Sequence, residues 1–207
     1  MLIGVGLIGG GIGSGVSGGI FDLFGGGNGG SSANSQVDKK IQQQERLLRA
    51  NPKNQAAMAA LVRYHYQLAA ASSDQRTGKF NKDGKKELLA ASTVWHRYLG
   101  SNPKKPDTGL ASQMAVAYSP VGLNKPSDAV QAAEIVATAK NDAQAYLQLV
   151  QFAAAAGQTR KADLAGQKAI DLAPKAQKQV VKDAVKQAKN PQAAAAGAQS
   201  SGQPTGP

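Results

Sequence analysis

The chain has 207 residues, a formal net charge of +11 and no cysteine. The lack of cysteine excludes disulfide bonds, thiolate zinc sites and a lipid anchor attached to cysteine. Aromatic residues make up only 5% of the chain, and its central part is rich in Ala, Gln, Leu and Lys, which favour helices. The composition therefore predicts an all-α protein.

The basic residues are concentrated in one part of the chain. All 24 Lys and Arg residues lie between Val37 and Asn190, whereas segments 1–36 and 191–207 contain a single charged residue, Asp22. A strongly basic domain is attracted to anionic lipid, cell-wall polymers or nucleic acid. A surface that only keeps the domain soluble explains the same charge, and the sequence leaves both explanations open.

The first element is an apolar, glycine-rich segment over residues 1–24. Between Leu2 and Phe24 the only charged residue is Asp22. A helix of this length rises far enough to cross the hydrocarbon core of a bilayer. We therefore predict a single-pass membrane protein with its anchor at 1–24 and a flexible Gly/Ser-rich linker at 25–36. The side of the membrane that holds the domain stays open, because no basic residue closely flanks the anchor.

The same segment contains Gly4, Gly6 and Gly9 at the spacing of a dinucleotide-binding fingerprint. That fingerprint requires a strand before the glycines, a helix after them and an acidic residue about 20 positions further on. Only three residues precede Gly4, and more glycine follows Gly9. We therefore reject a nucleotide site and predict no cofactor.

Helix pairs are predicted over residues 37–190, and the best-defined pair spans 142–174. Apolar residues at helical spacing lead to Gly157 at the turn, and a second apolar face then leads to Pro174. This order of a helix, a glycine turn, a helix and a proline indicates an αα-hairpin.

This pair resembles the tetratricopeptide repeat, a helix pair that recurs about every 34 residues. The matching residues are Tyr146, Leu149, Gly157, Ala162, Ala169 and Pro174, with partial matches in an earlier pair at Ala91, Trp95 and Pro103. Pro52 and Pro103 are about 17 residues further apart than one period, which we attribute to a polar loop inserted at 72–87. The resemblance implies an array of antiparallel helix pairs after a membrane helix, as in a membrane-anchored bacterial helical-repeat protein.

Two further features bear on this resemblance, one departure from the repeat pattern and one feature expected at the end of an array. The aromatic residue usual on the second helix is Gly166 in the best-matching pair. The final helix, 175–190, has lysines along one face and Val181 and Val185 on another, and we interpret it as a cap on the end of the array. The alternative is a basic helix that rests on an anionic surface. Residues 191–207 are predicted to be a disordered tail.

No combination of residues indicates catalysis. His65 and His96 have no cluster of acidic residues nearby in the sequence, so we predict packing or surface roles rather than metal binding. The acidic residues are scattered singly, without a pair suited to acid–base chemistry. Segment 74–83 faintly resembles a calcium loop, but its basic residues argue against that, and we predict a mobile loop. The sequence thus predicts neither an enzyme nor a metal site.

The resemblance implies a membrane-tethered scaffold for protein–protein interaction, with a protein or peptide partner bound by the first helix of each pair. The residues expected to contact this partner are Arg63, Gln67, Gln113 and Gln148. The alternative is a basic module that binds anionic lipid, a cell-wall polymer or nucleic acid. Nucleic acid is the least favoured partner, because the aromatic group around Tyr64, Trp95 and Tyr98 is expected to pack in the core rather than stack on bases.

Overall fold

The structure, a computed structural model, describes residues 30–190 and the exposure of side chains from residue 34 onward. The described residues form eight α-helices, one turn of 3-10 helix and no β-strand, which confirms the predicted all-α class. The helices are α1 (Gly30–Ala50), α2 (Gln55–Ala71), α3 (Lys82–Gly100), α4 (Thr108–Ala117), α5 (Pro126–Lys140), α6 (Ala143–Ala155), α7 (Thr159–Leu172) and α8 (Lys178–Lys189). The 3-10 turn, Lys175–Gln177, directly precedes α8.

The described residues divide between two units, with the boundary between Asp38 and Lys39. The described part of the first unit, 30–38, is helical, so residues 30–36 of the predicted linker belong to α1. This stretch can form a helix because it contains no proline, and its Ser, Ala, Asn and Gln residues are tolerated there. The predicted anchor and tail lie outside the described residues. Among the helices that are described, none combines the length and apolarity needed to cross a membrane.

Side-chain caps fix where four helices of the second unit begin. Asn54, Asn81, Asp107 and Asp142 each accept a hydrogen bond from the backbone N–H three residues further on. This bond satisfies one of the N–H groups that the first turn of a helix leaves without a partner. Helix α5 instead begins at Pro126, whose fixed φ angle suits the first helical position.

Consecutive helices pack as three pairs, α2 with α3, α4 with α5, and α6 with α7. The short connections make each pair antiparallel. Left-handed residues allow the reversals after α5 and α6, Asn141 at φ 48° and Gly157 at φ +69°. The pairs adjoin in chain order, because α4 also packs on α2 and α3, and α6 packs on α5.

Few large side chains fill the core. Trp95 is fully buried and stacks on Tyr98 with ring centroids 5.5 Å apart, as expected for the aromatic group of the first pair. Tyr64 is only partly buried, and its ring lies 5.8 Å from Lys40 Nζ of α1. Alanine is the most frequent residue of the core, with 16 of the 35 buried hydrophobic residues, and its small side chain lets neighbouring helices approach closely.

The connection between α2 and α3 is shorter than the sequence predicts. Residues 82–87 of the predicted loop are helical, because the Asn81 side chain caps the helix that begins at Lys82. The connection therefore spans residues 72–81, and Gly84, which lies within the predicted loop, is a buried residue of α3.

This connection is a folded hairpin rather than a loop without structure. The Asp74 N–H donates to the Lys79 carbonyl at 2.9 Å, and the Gly78 N–H donates to the Asp74 carbonyl at 2.8 Å. Phe80 is buried, and its ring meets Tyr66 edge-on at 6.4 Å. We call residues 72–81 the hairpin.

The last helix, α8, packs against α6 and α7. Val181 and Val185 are buried with Ala169 and Ala173, so α8 covers one end of the third pair. A Cβ atom added at Gly166 of α7 would lie 2.7 Å from Val185 Cγ1. The missing side chain at this position therefore allows α8 to approach, and an aromatic residue there would exclude it.

We expect Gly166→Ala to destabilise the second unit by about 1 kcal/mol. Alanine is the better helix former by about 1 kcal/mol, but overpacking against Val185 costs roughly 1–3 kcal/mol. The measurement is urea unfolding followed by circular dichroism.

The control for this substitution is Gly100→Ala in α3, because an added Cβ there meets no atom within 4 Å. The double variant Gly166→Ala/Val185→Ala should lose less free energy of unfolding than the sum of its two single changes. If Gly166→Ala were as stable as the parent chain, this contact would not limit the position of α8.

Candidate interaction surface

The four predicted contact residues lie on the first helices of the three pairs. The structure places Arg63 and Gln67 on α2, Gln113 on α4 and Gln148 on α6. Helix α2 packs against α4, so the first three residues lie on neighbouring helices. Helix α6 packs against α5, α7 and α8 but not against α4. Direct helix contact therefore does not bring Gln148 beside the others.

Arg63 forms an ion pair within the chain. Its Nη2 atom contacts Oδ2 of Asp107, the residue that caps α4. The Asp107 Oδ1 atom accepts the Leu110 N–H at 3.0 Å, and the Asp107 N–H donates to the Tyr98 hydroxyl at 3.0 Å. The Arg63 side chain is 50% exposed, so it joins α2 to the start of α4 while half of it still faces solvent.

Gln113 has an unusual environment. Its Oε1 atom is the one buried side-chain polar atom of the described residues that has no hydrogen-bond partner. A buried acceptor without a donor costs about 1–3 kcal/mol. The residue as a whole is only partly buried, so the side chain also reaches the surface. Gln67 is partly exposed in the same way, and Gln148 is exposed.

A buried polar pair, Ser92 and Tyr118, joins α3 to the end of α4. The Tyr118 hydroxyl lies 2.9 Å from Ser92 Oγ. Burial raises the pKa of Tyr118 to about 12, an effect that the hydrogen bond with Ser92 partly offsets and the nearby Asp128 carboxylate reinforces. Sequence reasoning missed this pair, although Ser92 falls at helical spacing among Leu88 and Trp95 on the buried face of α3.

Each histidine lies beside one carboxylate. His65 Nδ1 is 2.7 Å from Glu87 Oε2, which joins α2 to α3. His96 Nε2 is 3.7 Å from Asp128 Oδ1, and its ring stacks on Tyr118. Within residues 30–190, no group of three or more candidate ligands could hold a metal ion. Both histidines therefore contact neighbouring side chains within the fold. The sequence had not indicated that Glu87 and Asp128 would lie beside them.

Two shallow grooves lie on the second unit. A groove of about 560 Å³ runs between α5, α6 and α7, where Tyr146, Leu149 and the 65% exposed Leu164 line it. A second groove, of about 540 Å³, lies between α2 and the connection that precedes α4, and its lining includes Tyr98 and Lys104. The second groove shares α2 with Arg63 and Gln67.

The residues that carry the repeat resemblance lie at packing and turn positions. Those with buried side chains are Ala91, Trp95, Leu149, Ala162 and Ala169, whereas Tyr146 is partly buried. Gly157 makes the left-handed turn after α6. Pro103 and Pro174 stand in the connections that follow α3 and α7.

We expect substitutions of Asp107 to separate its helix cap from its ion pair. Asp107→Asn keeps a good cap and should cost less than about 1 kcal/mol, as for exposed ion pairs. Asp107→Ala loses both and should cost about 1–2 kcal/mol. Urea unfolding measures both, with Arg63→Ala as the reference for the ion pair alone. If Arg63→Ala cost as much as Asp107→Ala, the ion pair rather than the cap would hold α4.

The raised pKa of Tyr118 predicts a loss of stability at alkaline pH. An unfolded tyrosine has a pKa of about 10, and Tyr118 in the folded chain has one of about 12. The folded state therefore keeps a proton that the unfolded state releases between these values. The stabilisation is complete below about pH 10 and falls by roughly 2–3 kcal/mol as the pH rises through about 12.

Tyr118→Phe removes this titration, so its deficit in unfolding free energy relative to the parent should shrink as the pH rises. Urea unfolding of both chains between about pH 9 and pH 11.5 tests this. Burial also raises the pKa of Tyr66, so the unfolding free energy of the variant should still decrease somewhat as the pH rises. Parallel pH dependences for the two chains would show that Tyr118 does not titrate in this way.

Comparison with known proteins gives no relative from which a function could be transferred. No protein-family profile, curated protein or solved structure matches the chain. A function for this protein therefore has to be inferred from its own residues and their geometry.

Proposed function

We propose that this protein is a tetratricopeptide-like scaffold, tethered to a membrane through residues 1–24, that binds a protein or peptide partner on the first helices of its pairs. Three helix pairs that adjoin in chain order, and a last helix that covers the third pair, support the array. The apolar sequence between Leu2 and Phe24 supports the tether.

The observation that carries the binding proposal is the buried, unpartnered Oε1 atom of Gln113. Folded chains rarely leave a buried acceptor without a donor. Residue Gln113 is partly exposed, so rotation of its side chain would bring this atom to the surface, where a backbone N–H of a bound peptide would supply the donor. Gln67, on the neighbouring helix, offers an amide that can both donate and accept. These uncharged amides suit recognition of a peptide main chain, and the exposed half of Arg63 adds a cation beside them.

The test is selection of peptides from a random library on the full-length chain, followed by affinity measurement. The variant Gln67→Ala/Gln113→Ala/Gln148→Ala should weaken binding at least about 10-fold and up to about 1000-fold, since each of three hydrogen bonds contributes about 0.5–1.5 kcal/mol. The control is Gln131→Ala/Gln167→Ala/Gln187→Ala, which removes three exposed glutamines outside the first helices.

The control variant should bind as the parent chain does. Equal losses in both triple variants, or no loss in either, would contradict a binding surface on α2, α4 and α6. Circular dichroism of both variants checks that a change in binding does not come from unfolding.

A further inference from the structure

Five exposed basic residues lie close together in the sequence, on the hairpin and the start of α3. They are Arg76, Lys79, Lys82, Lys85 and Lys86, and we call them the hairpin patch. Within the described part of the chain, none of them forms an ion pair with a carboxylate. Asp74 and Asp83 are also exposed here, so the surface carries an excess of positive charge.

The lysines of this patch work against the stability of α3. The N-terminus of a helix carries a positive partial charge, so Lys82 in the first turn is unfavourable there. Lys85 and Lys86 follow Lys82 at three and four positions, where like charges on a helix repel. The need to build a stable α3 therefore does not explain these residues.

The lysines of α8 differ in this respect. Lys186 and Lys189 lie in the last turn of α8, where the helix dipole favours cations. Lys189 Nζ also lies 2.5 Å from Asp163 Oδ1. The helix dipole and an ion pair thus account for Lys186 and Lys189 but not for Lys178 or Lys182. No lysine of the hairpin patch has either explanation.

The hairpin presents its charges on a defined backbone. Two hydrogen bonds from Thr77 to the Asp74 side chain close its turn, and they hold the pKa of Asp74 below its usual value. At its other end the Phe80 N–H donates to the Val121 carbonyl at 3.2 Å. Phe80 is the only large apolar residue of the hairpin, and it is buried. The surface that the hairpin exposes is therefore polar and cationic.

We propose that the hairpin patch adsorbs to the phosphate headgroups of an anionic bilayer. This inference rests on the proposed function, because the tether at 1–24 would hold the second unit near a membrane. The hairpin itself exposes no apolar side chain, and Leu89 is the one exposed large apolar residue near the patch, a turn beyond Lys85 on α3. Such a mainly cationic surface complements a charged headgroup layer and enters the hydrocarbon little. Binding of single-stranded nucleic acid relies on exposed aromatic side chains, and none is present on the hairpin.

The test uses the full-length chain with a single label. Because the chain has no cysteine, Gln75→Cys places one thiol-linked fluorophore on the exposed turn of the hairpin. The labelled protein is reconstituted into vesicles of phosphatidylcholine, alone or with about one third phosphatidylglycerol. Quenching by a headgroup spin-labelled lipid reports how much of the hairpin lies at the membrane. We expect quenching on the anionic vesicles, little on the neutral ones, and reversal by salt.

Two variants with equal changes in net charge locate the contact. Lys82→Gln/Lys85→Gln/Lys86→Gln should lower the equilibrium constant for adsorption about 100-fold, since each lysine near an anionic surface contributes about fivefold. Its melting temperature should not fall, because unfavourable charges at the start of α3 have been removed. Lys178→Gln/Lys182→Gln/Lys186→Gln in α8 should keep the quenching of the parent chain.

The outcomes separate this proposal from the proposed tether. Loss of quenching in the α8 variant alone, or equally in both variants, would overturn the hairpin patch as the contact. Stronger competition by duplex DNA than by anionic vesicles at equal salt would also overturn it and make nucleic acid the partner. If the chain sediments with neutral vesicles but phosphatidylglycerol does not increase the quenching, the tether stands and the patch is refuted. If the chain does not sediment with neutral vesicles but its fluorophore is quenched on anionic ones, the tether is refuted and the patch is supported.

Discussion

The close approach of helices through alanine and glycine is the constraint on which the rest of this structure depends. Where α7 meets α8, the missing side chain of Gly166 leaves just enough room for Val185. In the turn that follows α4, Gly122 lies still closer to the backbone of that helix, since an added Cβ would lie 2.2 Å from the Ala117 carbonyl oxygen. Contacts of this kind bury little apolar area for each residue, so their free energy depends on fit rather than on bulk. Added volume is tolerated poorly there, and precise helix ends matter more than in a core of large side chains.

Because packing depends on fit, the positions of the helix ends matter, and a set of polar side chains fixes them. Asn54, Asn81, Asp107 and Asp142 act as caps and set where the helices begin. The cap at Asn81 starts α3 directly before a run of lysines that opposes its dipole. The first pair sustains this arrangement because Trp95 is completely buried in it and the His65–Glu87 contact spans its two helices. A surface charge that weakens its own helix is therefore carried by the pair with the largest buried side chain.

Local patterns predicted much of this fold, and one overlooked local cap together with several long-range contacts accounts for the rest. Gly157 and Pro174 mark the end of a helix and the end of a pair, so the third pair could be read from residue spacing alone. The start of α3 was missed, because Lys, Asp and Gly in sequence suggest a loop, although Asn81 directly before them is a residue type that caps helices. The hairpin depends on Phe80 burying its ring near Tyr66, a contact between segments that no local pattern contains. The candidate contact residues could be assigned to helices, but the ion pair of Arg63 and the unpartnered atom of Gln113 required coordinates.

In the proposed binding surface, helix α4 is held in place by contacts of this kind. It is the shortest of the described α-helices, yet both of its ends are held by other elements. At its start, Asp107 contacts Arg63 of α2 and Tyr98 of α3. At its end, Tyr118 bonds to Ser92, and the connection that follows accepts the Phe80 N–H from the hairpin. A helix fixed at both ends loses little conformational freedom when a partner binds, so the affinity is reduced less by ordering of the site. The same contacts join α4, with its Gln113, to the hairpin that carries the basic patch, so a partner on α4 and an anionic surface at the hairpin would act on one rigid assembly.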